Sequence, residues 1–213
     1  SLNNSNTFNI FNKIIQDYSI KNKIYYFENN SNLNNINYAF NIYQNIDNDN
    51  VIIKLNEDWL SSSDVLNTLY DIFKNNVYKI IFSSHKLYFN QEINNINKMI
   101  KYPQIIQTNI LFRSYPDFYF KHFYVGYAFY FKNIPKEYLT YENEWLDIES
   151  KMAEIFCLIE LANGQIFCID EPLFIYDQLK NIRNNIITIN PKYNFNNIKI
   201  IDYIKSLNNL QKI

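Results

Sequence analysis

The segment NVIIKLNEDWLSSSDVL, Asn50 to Leu66, carries the sequence signal that decides the fold. An apolar run, Val51 to Leu55, breaks off at Asn56-Glu57-Asp58-Trp59, and a helix-like segment follows. The run reads as a strand with both faces covered, because it is near-continuously apolar rather than alternating. Ser63 or Asp64 then stands where a helix N-cap belongs, and Val65, Leu66, Leu69, Tyr70, Ile72 and Phe73 recur at helical spacing. In α/β sheets, ligands collect beyond the carboxyl ends of strands, and Asn56-Glu57-Asp58 occupies such a position. Hard divalent cations take oxygen ligands, typically one or two carboxylates plus substrate phosphates. Along an extended chain, residues two apart share a face, so Asn56 and Asp58 point together and Glu57 points elsewhere unless the turn twists it round. The alternative for this turn is a solvated loop leading into a helix.

Working outward, the same grammar repeats. Thr7 can cap a helix carrying Phe8, Phe11, Ile14, Ile15 and Tyr18, and KIYYFE, Lys23 to Glu28, reads as a strand. A second helix follows through Ile36, Ala39, Phe40, Ile42, Tyr43 and Ile46. YKIIFS, Tyr78 to Ser83, is another buried strand, with His85 just beyond its end. This alternation of helix and strand predicts an α/β fold with a mostly parallel sheet flanked by helices. Its first element is a helix, which suggests a domain whose first strand or strands lie upstream of Ser1. The second half is less regular. It holds a polar stretch with Asn90, Asn94, Asn95 and Asn97, then the aromatic run FYFKHFYVGYAFYF from Phe118 to Phe131. A helix from about Asp147 to Leu161 comes next, stopped by Asn163-Gly164. QIFCID and PLFIYD read as two short strands parted by a Glu171-Pro172 turn, and NIKIIDYIKSLNNL as a C-terminal helix.

Composition narrows the function classes. The 213 residues suit a single domain, and a 47% hydrophobic content supports a sizeable core. The many Asn are interleaved with Ile, Tyr, Phe and Leu in periodic segments, so they do not mark a disordered tract. Asn, Ile, Lys, Tyr and Phe share A/T-rich codons and the chain has two Gly, the pattern of an A/T-rich genome. A net charge of −1 without a basic stripe argues against a nucleic-acid partner. Two cysteines, Cys157 and Cys168, both in apolar runs, read as buried thiols in a reducing compartment. Two histidines, His85 and His122, make a His/Cys zinc site improbable. No charged-then-apolar leader opens the chain, and the aromatic run is shorter than the roughly 20 residues a transmembrane helix needs. A cytoplasmic protein without a transmembrane segment is the expectation. The aromatic run reads as core, with a contact surface as the alternative.

Four stretches in order resemble glycosyltransferases of the GT-A fold, in particular family 2-like enzymes such as those encoded by large DNA viruses. IIKLNEDWLSSSDVLNTLYDIFKNN resembles a strand ending in a DGDDWL-type sequence followed by a capped helix. NSNLNNINYAFNIYQNIDNDN resembles the turn and helix that approach it, and ILFRSYPDFYF the family's Arg-Ser/Thr-Phe segment. MAEIFCLIELANGQIFCIDEPLFIYD resembles its "lLElAgg-i-i-EplyiY" block. The resemblance runs from about Thr7 to Asp177 and implies a Rossmann-like domain over 1–213. Residues 1–90 would form the nucleotide-sugar side, and 91–213 the acceptor side and C-terminal helix. It also implies a nucleotide-sugar donor, a glycan or protein hydroxyl acceptor, and Mn²⁺ or Mg²⁺ bridging the diphosphate. For a viral source, the compartment would be the host cytoplasm. Asp58 is the implied metal ligand, with Glu57 as the alternative, and Asp147 or Glu149 the implied base. Asn56, Trp59, His85, Arg113, Glu160 and Glu171 are the candidate substrate-binding residues. Ser1 to Thr7 resembles the family's D-x-S-x-D-x-T turn, which would place the first strand upstream.

Several of these residues also have simpler readings. Asp147 and Glu149 complement a helix N-terminus. Arg113 fits a clamp for a phosphate or equally an ion pair with Asp117 one helical turn on. Glu160, among apolar neighbours, reads as a partly buried carboxylate with a structural role. Glu171-Pro172 makes an ordinary turn, and His85 an ordinary loop residue. The family's DGDD is here Asn-Glu-Asp, one residue shorter, and its acidic residue ahead of the long helix falls near Lys151. These departures suit the alternative function, an inactive relative that binds a glycan or a protein.

Overall fold

The computed structural model describes residues 35–55, 59–62, 64–75, 77–89, 92–98, 100–115, 124–146, 150–177 and 191–210. These all fall in one compact unit, Leu33–Ile213. The helix expected over Thr7 to Tyr18, the strand Lys23 to Glu28, the turn Asn56-Glu57-Asp58 and the pair Asp147 and Glu149 lie outside the described residues.

β1 (Val51–Lys54), β2 (Trp59–Leu60), β3 (Ile80–Phe89), β5 (Tyr124–Tyr127) and β8 (Ile166–Asp177) form a sheet in the order β1-β5-β3-β8-β2, and β4 (Glu92–Asn97) pairs with β3 beyond β5. The expected mostly parallel sheet is corrected here: the sheet is mixed, with β3–β8 its parallel pairing and β1–β5, β3–β5, β3–β4 and β2–β8 antiparallel. β1 and β3 nevertheless point the same way, because each runs antiparallel to β5, which lies between them. The α/β alternation fixed their common direction. It did not exclude a later strand from entering between them.

Helices cover both faces of this sheet. On one side α2 (Val65–Phe73) presents Val65, Leu69 and Phe73, a four-residue repeat, to Ile81, Val125, Leu173 and Phe174. Asp64 is its N-cap, without a side-chain cap hydrogen bond. On the other side α1 (Asn35–Tyr43), α4 (Ala128–Lys132) and α5 (Ser150–Leu161) pack on Ile80, Phe82 and Tyr124. Adjacent β3 residues Ile80, Ile81 and Phe82 thus feed alternate cores, which is why the run is continuously apolar. α5 is buried from Ala153 through Leu161, the mark of a helix surrounded by protein. It ends in a Schellman motif: Gly164 N–H donates to Ile159 O (2.9 Å) and Asn163 N–H to Glu160 O (2.9 Å), with Asn163 at φ 51°. Gly164, at φ 68°, continues the left-handed turn that ends the helix, a conformation glycine adopts without cost.

Three further differences from the sequence expectations have physical causes. YKIIFS does not end at Ser83, since β3 runs to Phe89 and folds back on β4. Asn94, Asn95 and Asn97 of the polar stretch therefore sit in a hairpin strand, where pairing outweighs weak strand propensity. QIFCID and PLFIYD are one strand, β8, rather than two. Register shifts on either side of Ser84 let Ser83 face Ile169, Ser84 face Pro172 and His85 face Phe174, so Asp170, Glu171 and Leu173 are passed over around the proline. Proline is tolerated in a sheet at such a position. The aromatic run supplies both a strand, β5, and a helix, α4. The remaining elements are α3 (Gln104–Asn109), a 3-10 turn (Lys136–Leu139), the small hairpin β6 (Thr140–Tyr141) and β7 (Glu144–Trp145), and α6 (Pro191–Ser206). No helix among the described residues is long and apolar enough to cross a membrane.

Gly126 lies at a close approach within the sheet, where a Cβ would meet Ile80 Cδ1 at 2.5 Å, Lys79 O at 3.1 Å and Phe131 Cε2 at 3.3 Å. Gly126→Ala forces overpacking between β5, β3 and α4, and is expected to cost about 1–3 kcal/mol in urea unfolding.

Candidate functional site

Two charges interrupt otherwise apolar segments near the carboxyl end of β1, and the fold brings them together. Lys54 closes the strand VIIK, and Glu154 lies in the first half of α5, with no solvent exposure. The Lys54 ammonium forms an ion pair with Glu154 Oε2. Tyr124 from β5 donates its hydroxyl to the same oxygen at 2.5 Å, and Tyr43 from α1 donates to Oε1 at 2.7 Å. The Lys54 Nζ also lies 5.7 Å from the Tyr43 ring centroid and 5.8 Å from that of Tyr124, within cation–π range. A buried carboxylate requires such partners. Three donors occupy most of the roughly four acceptor positions of a carboxylate, so Glu154 is committed to this cluster rather than to a metal or a reacting proton. Burial, then the Glu154 charge, pushes both phenols well above their ordinary pKa.

A second buried pair explains Arg113 and Glu160. Arg113 grips Glu160 in a two-pronged contact, Nε to Oε1 at 2.6 Å and Nη2 to Oε2 at 3.0 Å. Its Nη1 donates to Ile204 O of α6 at 2.7 Å, and Leu210 N–H donates to Glu160 Oε2 at 3.0 Å. The guanidinium lies 5.2 Å from the Phe156 ring centroid and 5.4 Å from that of Tyr138. Burial alone would lower the Arg113 pKa, and Glu160 more than reverses that, leaving it raised. The expected partner Asp117 lies outside the described residues, and Glu160 fills that place instead. Arg113 thus ties Glu160 of α5 to Ile204 of α6, in keeping with its reading as one half of a structural ion pair. The structural reading of Glu160 agrees with this geometry.

The other candidates are dispersed. Asn56, Glu57 and Asp58, and Asp147 and Glu149, lie outside the described residues, although their flanking elements are in place. Upstream of the acidic turn is Lys54. Downstream, Trp59 and Leu60 of β2 pair with Ile175 and Phe174, and Ser61 is held by its N–H to Leu173 O (2.9 Å) and its hydroxyl to Pro172 O (2.7 Å). His85 is not a loop residue, because β3 continues through it. Its ring stacks on Phe174 at 5.3 Å and meets Tyr176 edge-on at 5.7 Å, and burial lowers its pKa. Glu171 is exposed on the irregular part of β8. Lys151 stands in the first turn of α5. Among the described residues, no group of three or more His, Cys, Asp or Glu side chains lies together to hold a metal. Glu57 and Asp58, which follow β1 in the sequence, carry carboxylates, the ligand type a hard cation takes.

No family model, curated protein or solved structure matches the chain.

Lys54, Glu154, Tyr43 and Tyr124 were not among the sequence-derived site residues. Their signal was present: a Lys at the end of an apolar strand and a Glu inside AEIFCLIEL each require a partner when buried. The Arg113–Glu160 pair makes a direct prediction. Arg113→Met leaves a buried carboxylate unpaired and is expected to cost about 3–5 kcal/mol in urea unfolding, while Arg113→Met with Glu160→Leu recovers most of it. A second prediction concerns pH. In the unfolded chain Tyr43 and Tyr124 titrate near 10 and in the fold higher, so the folded state keeps protons that the unfolded state releases. Stability is therefore full below about pH 10 and falls as pH rises above it. Thermal melting across that range checks the sign, and Tyr124→Phe should flatten the fall.

Proposed function

We propose that the chain is a glycosyltransferase of the GT-A type, moving a sugar from a nucleotide-sugar donor to a hydroxyl of a glycan or protein acceptor. The observation that carries this reading is directional. β1, β3 and β8 share one direction, and Asn56-Glu57-Asp58 follows β1 in the sequence, after the strand end beyond which α/β proteins bind ligands. The order of the four sequence motifs adds support, and so does a sheet with helices on both faces. The division into a nucleotide-sugar side, 1–90, and an acceptor side, 91–213, belongs to the same proposal, as does a cytoplasmic setting, which suits two free thiols.

Asp58, with Glu57 as the alternative, would hold Mn²⁺ or Mg²⁺. Such an ion, when bound, neutralises charge on a leaving diphosphate. Asp147 or Glu149 would take the proton from the attacking acceptor hydroxyl. Asn56 and Trp59 flank the donor in this scheme, and His85 and Glu171 contribute from β3 and β8. A second reading is favoured by the turn itself: Asn56 stands where the related motif has a carboxylate, and Lys151 reverses a charge. On that reading the chain binds a glycan or a protein partner without turnover.

Calorimetric titration of the chain with UDP, GDP and their glucose and mannose conjugates, with and without Mn²⁺, tests the proposal. Metal-dependent binding is expected, with Asp58→Asn weakening it at least about tenfold, equivalent to about 1.4 kcal/mol. Donor hydrolysis should accompany it. Metal-dependent binding without hydrolysis or transfer favours the inactive relative, and absence of nucleotide binding sinks both the donor site and the enzyme.

A further inference from the structure

We propose that the Lys54 ammonium is a contact for a bound phosphate group, and that Glu154, Tyr43 and Tyr124 are the residues that position it. The inference rests on the donor reading in one respect, since it takes the phosphate to be part of a nucleoside diphosphate. Its geometric basis is independent of that reading. Glu154, Tyr124 and Tyr43 are 0%, 0% and 4% exposed, whereas the Lys54 side chain keeps 20% exposure. Of the four groups, the Lys54 side chain is therefore the one that solvent reaches. An anion arriving from solvent would reach the lysine side chain before the fully buried carboxylate.

The setting suits this role. Lys54 is the last residue of β1, at the carboxyl edge where ligands of α/β sheets collect. An ammonium carries three N–H donors. Glu154 is its hydrogen-bond partner among the described residues, which leaves donors for a phosphate oxygen. The two tyrosine rings restrict where the long side chain can go. A carboxylate that holds a lysine for phosphate contact is a known physical solution to the entropy of that side chain, as in protein kinases. Stability alone does not account for the arrangement, because a well-packed apolar replacement of a buried ion pair is often neutral or stabilising.

The test compares the wild-type chain, Lys54→Arg, and the double variant Lys54→Met with Glu154→Gln, which avoids a stranded buried charge. Each is titrated with pyrophosphate and with UDP, in EDTA and in Mn²⁺. The double variant should weaken both ligands at least about tenfold, equivalent to about 1.4 kcal/mol, while Lys54→Arg stays within about threefold of wild type, which removal of a merely structural contact would not predict. Wild-type affinity in the folded double variant overturns the phosphate contact and leaves the donor reading standing. Pyrophosphate binding that depends on Lys54, without nucleoside diphosphate binding, supports the contact and overturns the donor reading. No binding of either ligand by the wild type overturns both. Lysine acetylation mapped by mass spectrometry on the wild-type chain needs no variant: saturating UDP or pyrophosphate should slow modification of Lys54, and an unchanged rate overturns the contact.

Discussion

The Glu154 carboxylate is the constraint on which the sheet-to-helix packing turns. Removing a carboxylate from water costs several kcal/mol unless donors replace the water. Here the donors come from three other elements: Tyr43 of α1, Lys54 of β1 and Tyr124 of β5. Each must be in place for the carboxylate to be satisfied. One charge thereby holds the end of β1, the start of β5 and α1 in register with α5, which neutral packing would not specify so narrowly.

α5 carries a second such charge six residues later. At 3.6 residues per turn, Glu154 and Glu160 point about 120° apart. The helix therefore anchors the sheet on one side and the Arg113 segment with α6 and Leu210 on another. Its apolar surface is buried all round, so packing alone would leave its rotation about its axis weakly determined. Two buried carboxylates with separate donor sets remove that freedom. The second pair is why Arg113 and Glu160, both buried, face each other rather than solvent.

Much of the fold was legible locally. The helix from Val65 to Phe73, the strand through Val51 to Lys54 and the stop at Asn163-Gly164 follow from periodicity and turn chemistry that act within a few residues. Sheet polarity was not legible, because β5 comes from an aromatic run whose period identifies neither strand nor helix, and its insertion between β1 and β3 is a long-range choice. Nor was the continuity of β8 through Glu171-Pro172, since the irregular register that absorbs the proline depends on β3 beside it. The acidic turn was legible as a candidate by its place after a strand, but nothing local joins Lys54 to a glutamate a hundred residues away.

The sequence by itself determined several of the strands and helices, where some of them stop, and that the chain between β1 and α2 is acidic. Hydrogen bonding and side-chain period are local, so a short window contains them. Only the tertiary structure decided which charges are paired and which are exposed. Burial sets the cost of a charge, and it is defined only once distant elements have closed around it. That is why the lysine at the end of VIIK keeps a partly exposed side chain while Arg113 is buried.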